Sequence, residues 1–227
     1  MKCLLFVCLM AVTIGSAGVF PQNPPLQKGV SVQMADTNNA TPMPDADQQD
    51  AWIVAVTASG QIYLGAQAVS PEQLAGELKT HPRNRKAKLY IKADARASYA
   101  VVKKTLQAGQ EVMFDDVVLL TNQPESPALG MMVPPKGIEV RLVVPPSSEP
   151  VVVRVSSSGK NAPELQINGS AVSTANLQTA LNQALQNRGA KIVLVNADLQ
   201  LPFAQVVHVI DAVRSVDAKI ILPSTEM

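Results

Sequence analysis

Tyr90-Ile91-Lys92-Ala93-Asp94, with an aromatic at Tyr99, returns later in the chain as Leu194-Val195-Asn196-Ala197-Asp198, with an aromatic at Phe203. Asp94 and Asp198 stand 104 positions apart (198 less 94), and so do Tyr99 and Phe203 (203 less 99). Working outward, Gly60-Gln61-Ile62-Tyr63-Leu64 leads to Val69-Ser70, and Glu164-Leu165-Gln166-Ile167-Asn168-Gly169 leads to Val172-Ser173. Further upstream, Gln27-Lys28-Gly29-Val30-Ser31-Val32 is mirrored by Pro135-Lys136-Gly137-Ile138-Glu139-Val140. A spacing this long marks a duplicated domain, because stacking solenoids repeat every ~20–50 residues.

Each copy reads as β-β-α-β-α-β after a lead-in strand. In the first, Gly29 to Met34 alternates apolar and polar residues as a half-buried strand does. Ala35 to Asp50, rich in Asn, Thr, Pro and Asp, reads as a flexible linker. Trp52 to Val56 and Gln61 to Leu64 form a hairpin turning at Ser59-Gly60. Ser70-Pro71-Glu72-Gln73 opens a helix, with Ser70 as cap, Pro71 at the first helical position and Gln73 completing a capping box. Leu89 to Ile91, Ser98 to Gln110 and Val117 to Leu120 give a strand, a helix and a last strand. The second copy repeats this order: a lead-in strand over 137–144, a hairpin of Val151 to Val155 with Leu165 to Asn168, and a helix capped by Ser173 with Leu177, Leu181 and Leu185 on one face. Lys191 to Asn196, Pro202 to Val213 and Lys219 to Leu222 complete it. The fold class is therefore α+β: two tandem domains, each a mixed sheet with two helices on one face. Residues 21–122 and 123–227 form the two domains, with an N-terminal apolar helix over 1–20. Both lead-in strands are expected at sheet edges, where a further strand can pair. Val30, Val32, Ile138 and Val140 are accordingly the expected partner-binding residues.

The formal net charge of the 227 residues is +1, with no block of like charge, which argues against a nucleic-acid surface. Aromatics make up only 4%, so the cores must be built from Val, Ile, Leu and Ala. Both cysteines, Cys3 and Cys8, lie in the N-terminal apolar run, which excludes a disulfide or a Cys-based metal site in the folded part. From Cys3 to Phe20 there is no Asp, Glu, Lys, Arg or His. That run reaches the lower end of what a helix needs to cross a bilayer. Gly15-Ser16-Ala17-Gly18 also fits a signal-peptidase site. An uncleaved anchor, a cleaved signal and a buried helix are the three readings, and the first two carry the rest of the chain across the membrane.

These motifs, in this order and found twice, resemble the periplasmic domain of the ExbD/TolR family of biopolymer transporters. The segment Pro25 to Val32, the hairpin Ser59 to Leu64, Val69-Ser70 with Leu74, and Ile91 to Asp94 followed by Tyr99 carry the resemblance. It implies a non-enzymatic subunit without cofactor, anchored once in the bacterial inner membrane with its C-terminal part in the periplasm. It further implies a homodimer inside an ExbB/TolQ-like channel subunit, using the proton-motive force to act on a TonB/TolA-like protein, or in some members contacting peptidoglycan. The family's motor works through an Asp in the transmembrane helix. Counted back from Pro25, that Asp would fall between Cys8 and Thr13, where no residue is acidic. No proton-relay residue is therefore assigned. A start further upstream and a diverged member that cannot relay protons both account for the departure.

Asp94 and Asp198 could be read as paired carboxylates of a hydrolase, yet no His, Cys or second acid recurs beside them. The better reading is that each orients its loop through backbone N–H groups. Tyr99 and Phe203 read as core-edge aromatics, His81 and His208 as solvated or boundary residues. Arg83, Arg85, Lys86 and Lys88 read as a solvated loop face. With so few nucleophiles and bases there is no plausible catalytic constellation. The alternative to the transport subunit is a free periplasmic module binding peptidoglycan or a partner strand.

Overall fold

A computed structural model describes residues 30–80, 88–122, 133–146, 149–159 and 162–223. The N-terminal run, and with it the expected apolar helix, lies outside them. Among the described residues no helix is long and apolar enough to cross a membrane.

Among the described residues, twelve strands and four α-helices follow in chain order. β1 (Thr41–Pro42), β2 (Trp52–Val56), β3 (Ile62–Leu64), β4 (Gln67–Val69), α1 (Pro71–Thr80), β5 (Leu89–Ala93), α2 (Tyr99–Glu111) and β6 (Asp116–Thr121) belong to the first copy. β7 (Lys136–Arg141), β8 (Val151–Ser156), β9 (Glu164–Ile167), β10 (Ser170–Val172), α3 (Leu177–Leu185), β11 (Ile192–Ala197), α4 (Phe203–Ser215) and β12 (Lys219–Ile221) belong to the second. The two copies do not form separate sheets. One mixed sheet runs β10-β9-β8-β11-β12-β7-β6-β5-β2-β3-β4, with β1 laid against β7.

The pleat sorts the strand residues onto two faces. Val54, Ile91, Leu119 and Ile138 from one half, and Val153, Val195 and Ile220 from the other, join residues of all four helices in a single core. Ile53, Tyr90, Val118 and Leu120 point to the opposite face, where Met34, Met43, Ala46 and Ala51 cover them. Ile192, Leu194 and Ile221 are covered there by Val144. Thus the expected linker over 35–50 is ordered. It contributes β1 and a 3-10 turn at Pro44–Asp47, and it buries Ala46 because the back face of β2, β5 and β6 is apolar and must be shielded.

The lead-in strands also depart from expectation. β7 lies inside the sheet, antiparallel to β6 over six residue pairs and parallel to β12 at its C-terminal end. A strand with Ile138 and Val140 facing the core is stabilised more by two neighbours than by one. Gly137 permits the approach, since a Cβ there would meet Val118 Cγ1 at 2.6 Å and the Leu119 carbonyl oxygen at 2.8 Å. Residues 30–34 form no strand; the Gln33 backbone bonds instead to the loop after β5, accepting from Ala95 N–H and donating to the Asp94 carboxylate.

The local signals of the first copy hold. Gln73 N–H donates to Ser70 Oγ at 3.3 Å, and Gly60 turns the first hairpin at φ +83°. Ser173 makes no such side-chain cap. It opens a 3-10 turn at Thr174–Asn176, and α3 starts only at Leu177. Its third residue on is Asn176, so the reciprocal Gln of the first copy is missing. Strands β4 and β10 extend each hairpin to three strands. For β10 the signal was Asn168-Gly169, both at positive φ (49° and 86°), the dipeptide of a tight hairpin turn.

Candidate functional site

The residues expected to meet a partner are placed very differently in the two copies. Ile138 and Val140 are each only 1% exposed, held in β7 between β6 and β12. Val30 and Val32 are half-buried in an extended segment that runs past the C-terminal ends of β5 and β6. Ala95 N–H donates to the Gln33 carbonyl at 2.8 Å, Asn122 N–H to the Ala35 carbonyl at 2.9 Å, and Thr37 N–H to the Asn122 carbonyl at 2.9 Å. The Thr37 and Thr121 hydroxyls share a buried bond of 2.7 Å, and Asn122 Nδ2 donates to Asp36 Oδ1 at 2.6 Å. Val30 and Val32 are thus set at the start of a segment stitched to the head.

The same segment is fastened to the second copy. Asn38 N–H and Asn39 N–H donate to the two carboxylate oxygens of Asp211 at 3.0 and 2.9 Å, and Asn39 Nδ2 reaches the Asp211 carbonyl at 3.3 Å. Asp211 is buried on α4, so its charge is taken up by these backbone groups. No local pattern marks it in the sequence, because its partners lie more than 170 positions away.

The two repeated aspartates orient loops. Asp94 is 3% exposed and accepts from Gln33 N–H at 3.1 Å, Arg96 N–H at 3.0 Å, and Arg96 Nε and Nη2 at 2.9 and 3.0 Å. The Arg96 side-chain hydrogen bonds, set against burial, hold its carboxyl down at about 2. Asp198 accepts from Ser157 N–H at 2.9 Å. They are not brought together as an acid pair. Lys92, on the back face of β5, is 7% exposed, and burial lowers its pKa against the opposing pull of Asp47 on the covering turn. Tyr99 and Phe203 are core residues at 2% and 1% exposure, deeper than the edge position expected, and burial raises the Tyr99 phenol.

His208 is exposed on α4, and Lys88 pairs with Glu139 at 3.4 Å. His81, Arg83, Arg85 and Lys86 lie outside the described residues. An open groove of about 840 Å³ runs along the back of the second copy between Pro145, Glu149, Ile192, Lys219 and Ile221. Its two arginines already have partners: Arg141 Nε bonds Asp116 Oδ1 at 3.0 Å, and Arg188 bonds the Glu149 and Ala184 carbonyls. Among the described residues, no group of three or more His, Cys, Asp or Glu could hold a metal ion.

What the fold defines is a mixed sheet backed by helices, built from a duplicated β-β-β-α-β-α-β unit to which the segment from Gln33 to Thr41 is stitched. The family model described as Biopolymer transport protein ExbD/TolR matches residues 1–125 and again 121–224. The chain belongs to the ExbD/TolR family, as a tandem duplication of it. No curated protein matches it.

Proposed function

We propose that this chain is an inner-membrane and periplasmic subunit of an ExbB–ExbD or TolQ–TolR type transport system, coupled to the proton-motive force. It sits beside an ExbB/TolQ-like channel subunit and passes energy to a TonB/TolA-like protein. The observation that carries this reading is the double family match, which takes in the apolar N-terminal run together with both copies of the head. The segment from Val30 to Thr41 then joins the membrane-side run to the head. Val30 and Val32 are its partner-facing residues, while Ile138 and Val140 serve pairing within the chain. The test is co-expression with an ExbB/TolQ-type channel subunit. Retention of the chain in the membrane fraction and its co-purification with that subunit are expected.

A second reading is a periplasmic binding module without motor activity, engaging peptidoglycan or a partner strand. It is favoured by one observation: none of the residues from Cys8 to Thr13 is acidic. Leu, Met, Ala, Val and Thr carry no proton to exchange, and apolar surroundings keep a thiol such as that of Cys8 protonated at working pH. Recovery of the chain as a soluble periplasmic protein, shortened at its N-terminus and free of the channel subunit, would decide for this module.

A further inference from the structure

The N-terminal ends of α2 and α4 meet backbone to backbone. Tyr99 N–H donates to the Leu201 carbonyl at 2.9 Å, and Phe203 N–H to the Ala97 carbonyl at 2.8 Å. Ala100 N–H donates to the Leu199 carbonyl at 3.0 Å, and Ala204 N–H to the Ala95 carbonyl at 2.9 Å. Moving 104 positions along the chain turns Ala95 into Leu199, Ala97 into Leu201, Tyr99 into Phe203 and Ala100 into Ala204. Each bond therefore has a twin in which the donor and acceptor copies are exchanged. That is the pattern of an isologous contact, in which one surface patch meets itself about a two-fold axis.

Ser98 and Pro202, also 104 apart, face each other at the centre as an antiparallel bridge. The bonds on either side of them make this a non-hydrogen-bonded pair, which needs no N–H at position 202 and so accepts a proline. The first N–H groups of a helix have no partner within it. Here two such groups from each helix are satisfied by the other copy. Tyr99 and Phe203 are buried at the same place.

We infer that this seam is a surface through which two copies of the repeat associate, beside the pairing of β7 with β6 and β12, and that the duplication has closed it inside one chain. A single chain then presents the complete two-fold head and needs no second chain to make it, in place of the homodimer expected from the resemblance. The two copies have also lost equivalence. Asp211, which clasps Asn38 and Asn39, corresponds to Gln107 in the first copy, and only β7 occupies the central position between β6 and β12. The proposal rests on the transport-subunit reading only for what the head is for; the seam itself is tested without transport.

The test uses the full chain in membranes, with Cys3 and Cys8 replaced by Ser. Paired strand residues of this kind hold their Cα atoms about 4.5 Å apart, within the ~4.4–6.8 Å that a disulfide spans. On oxidation, the double variant Ser98→Cys/Pro202→Cys should give an internally bridged single chain, and each single variant should give no disulfide-linked pair of chains. Linked chains from either single variant, or from the double variant in place of the internal bridge, overturn the inference. Amide exchange on the unsubstituted chain is the second arm. The amides of Tyr99, Ala100, Phe203 and Ala204 should exchange slowly and at rates unchanged over roughly a hundredfold dilution. Exchange that quickens on dilution would place the seam between chains. Either outcome is independent of co-purification with a channel subunit, so the two readings fail separately.

Discussion

At the scale of single residues, two buried carboxylates, Asp94 and Asp211, each hold segments distant in the chain. Asp94 has its carboxyl at about 2 in the folded chain, below its usual 3.8. A lowered value means that its contribution is complete above the unfolded value and is lost as pH falls through the folded one. Asp94→Asn should therefore lower stability by about 1–2 kcal/mol at neutral pH, a figure reduced because Arg96 is largely exposed. The deficit should shrink between pH 4 and pH 2, read as the gap between the two chains in denaturant midpoint; a gap constant over that window would show that the carboxylate charge is not the cause. Asp211→Ala should cost about 1–3 kcal/mol by leaving the Asn38 and Asn39 amides without their acceptor. Faster hydrogen exchange at those two amides, with α4 itself still protected, is the expected signature. The loop-orienting role of Asp94 and Asp198 was legible because both follow a strand and precede a helix. Asp211 was not, since a mid-helix acid carries no local sign of a partner so far along the chain.

Among the elements, β7 decides the architecture. Its alternation marked it as a strand, but alternation reports only which face is apolar, not how many neighbours the strand has. The interior position follows from Gly137, whose missing side chain lets β7 close on β6. Gly137→Ala should therefore destabilise the chain by about 1–3 kcal/mol, because the backbone carbonyl of Leu119 cannot rotate away as a side chain can. A thermal midpoint within experimental error of the wild type would mean that β7 sits looser against β6 than described. The hairpin and helix starts were readable wherever the chemistry was local: Gly60 at its turn, Ser70 with Gln73 at its cap. Where that chemistry was incomplete, as at Ser173, the helix began later than expected.

For the whole molecule, the shared sheet and core predict that the copies unfold together. Trp52 is the single tryptophan of the chain and lies in the first copy, edge-on to Phe114 at 6.1 Å. Leu181 lies in α3 of the second copy and is completely buried. Leu181→Ala should cost about 2–5 kcal/mol and should lower the midpoint reported by Trp52 fluorescence by the full amount, in one transition. An unmoved Trp52 transition would show two independently folding domains. A further expectation concerns the membrane end. If the chain is the binding module without motor activity, its unmodified form should not restore proton-driven transport to a cell lacking its own ExbD-type subunit, whereas Ala11→Asp supplies a titratable group at about the expected depth. Growth on a transport-dependent nutrient checks this, and full activity of the unmodified chain would move the coupling step to other residues.

The sequence by itself determined the duplication, the hairpin, helices and later strands shared by both copies, the apolar face of each helix and the family, but not β4 and β10. All of these rest on short-range periodicity and on motifs whose chemistry lies within a few residues. Only the tertiary structure decided that the two sheets are one, that β7 is central, that the linker covers the back face and that Asp211 clasps the entering segment. Those outcomes depend on which surfaces compete for the same neighbour, at separations beyond the reach of local periodicity. The copies merge because β7 pairs with β6 and β12 at once, satisfying backbone N–H and C=O groups that two separate sheets would leave at open edges.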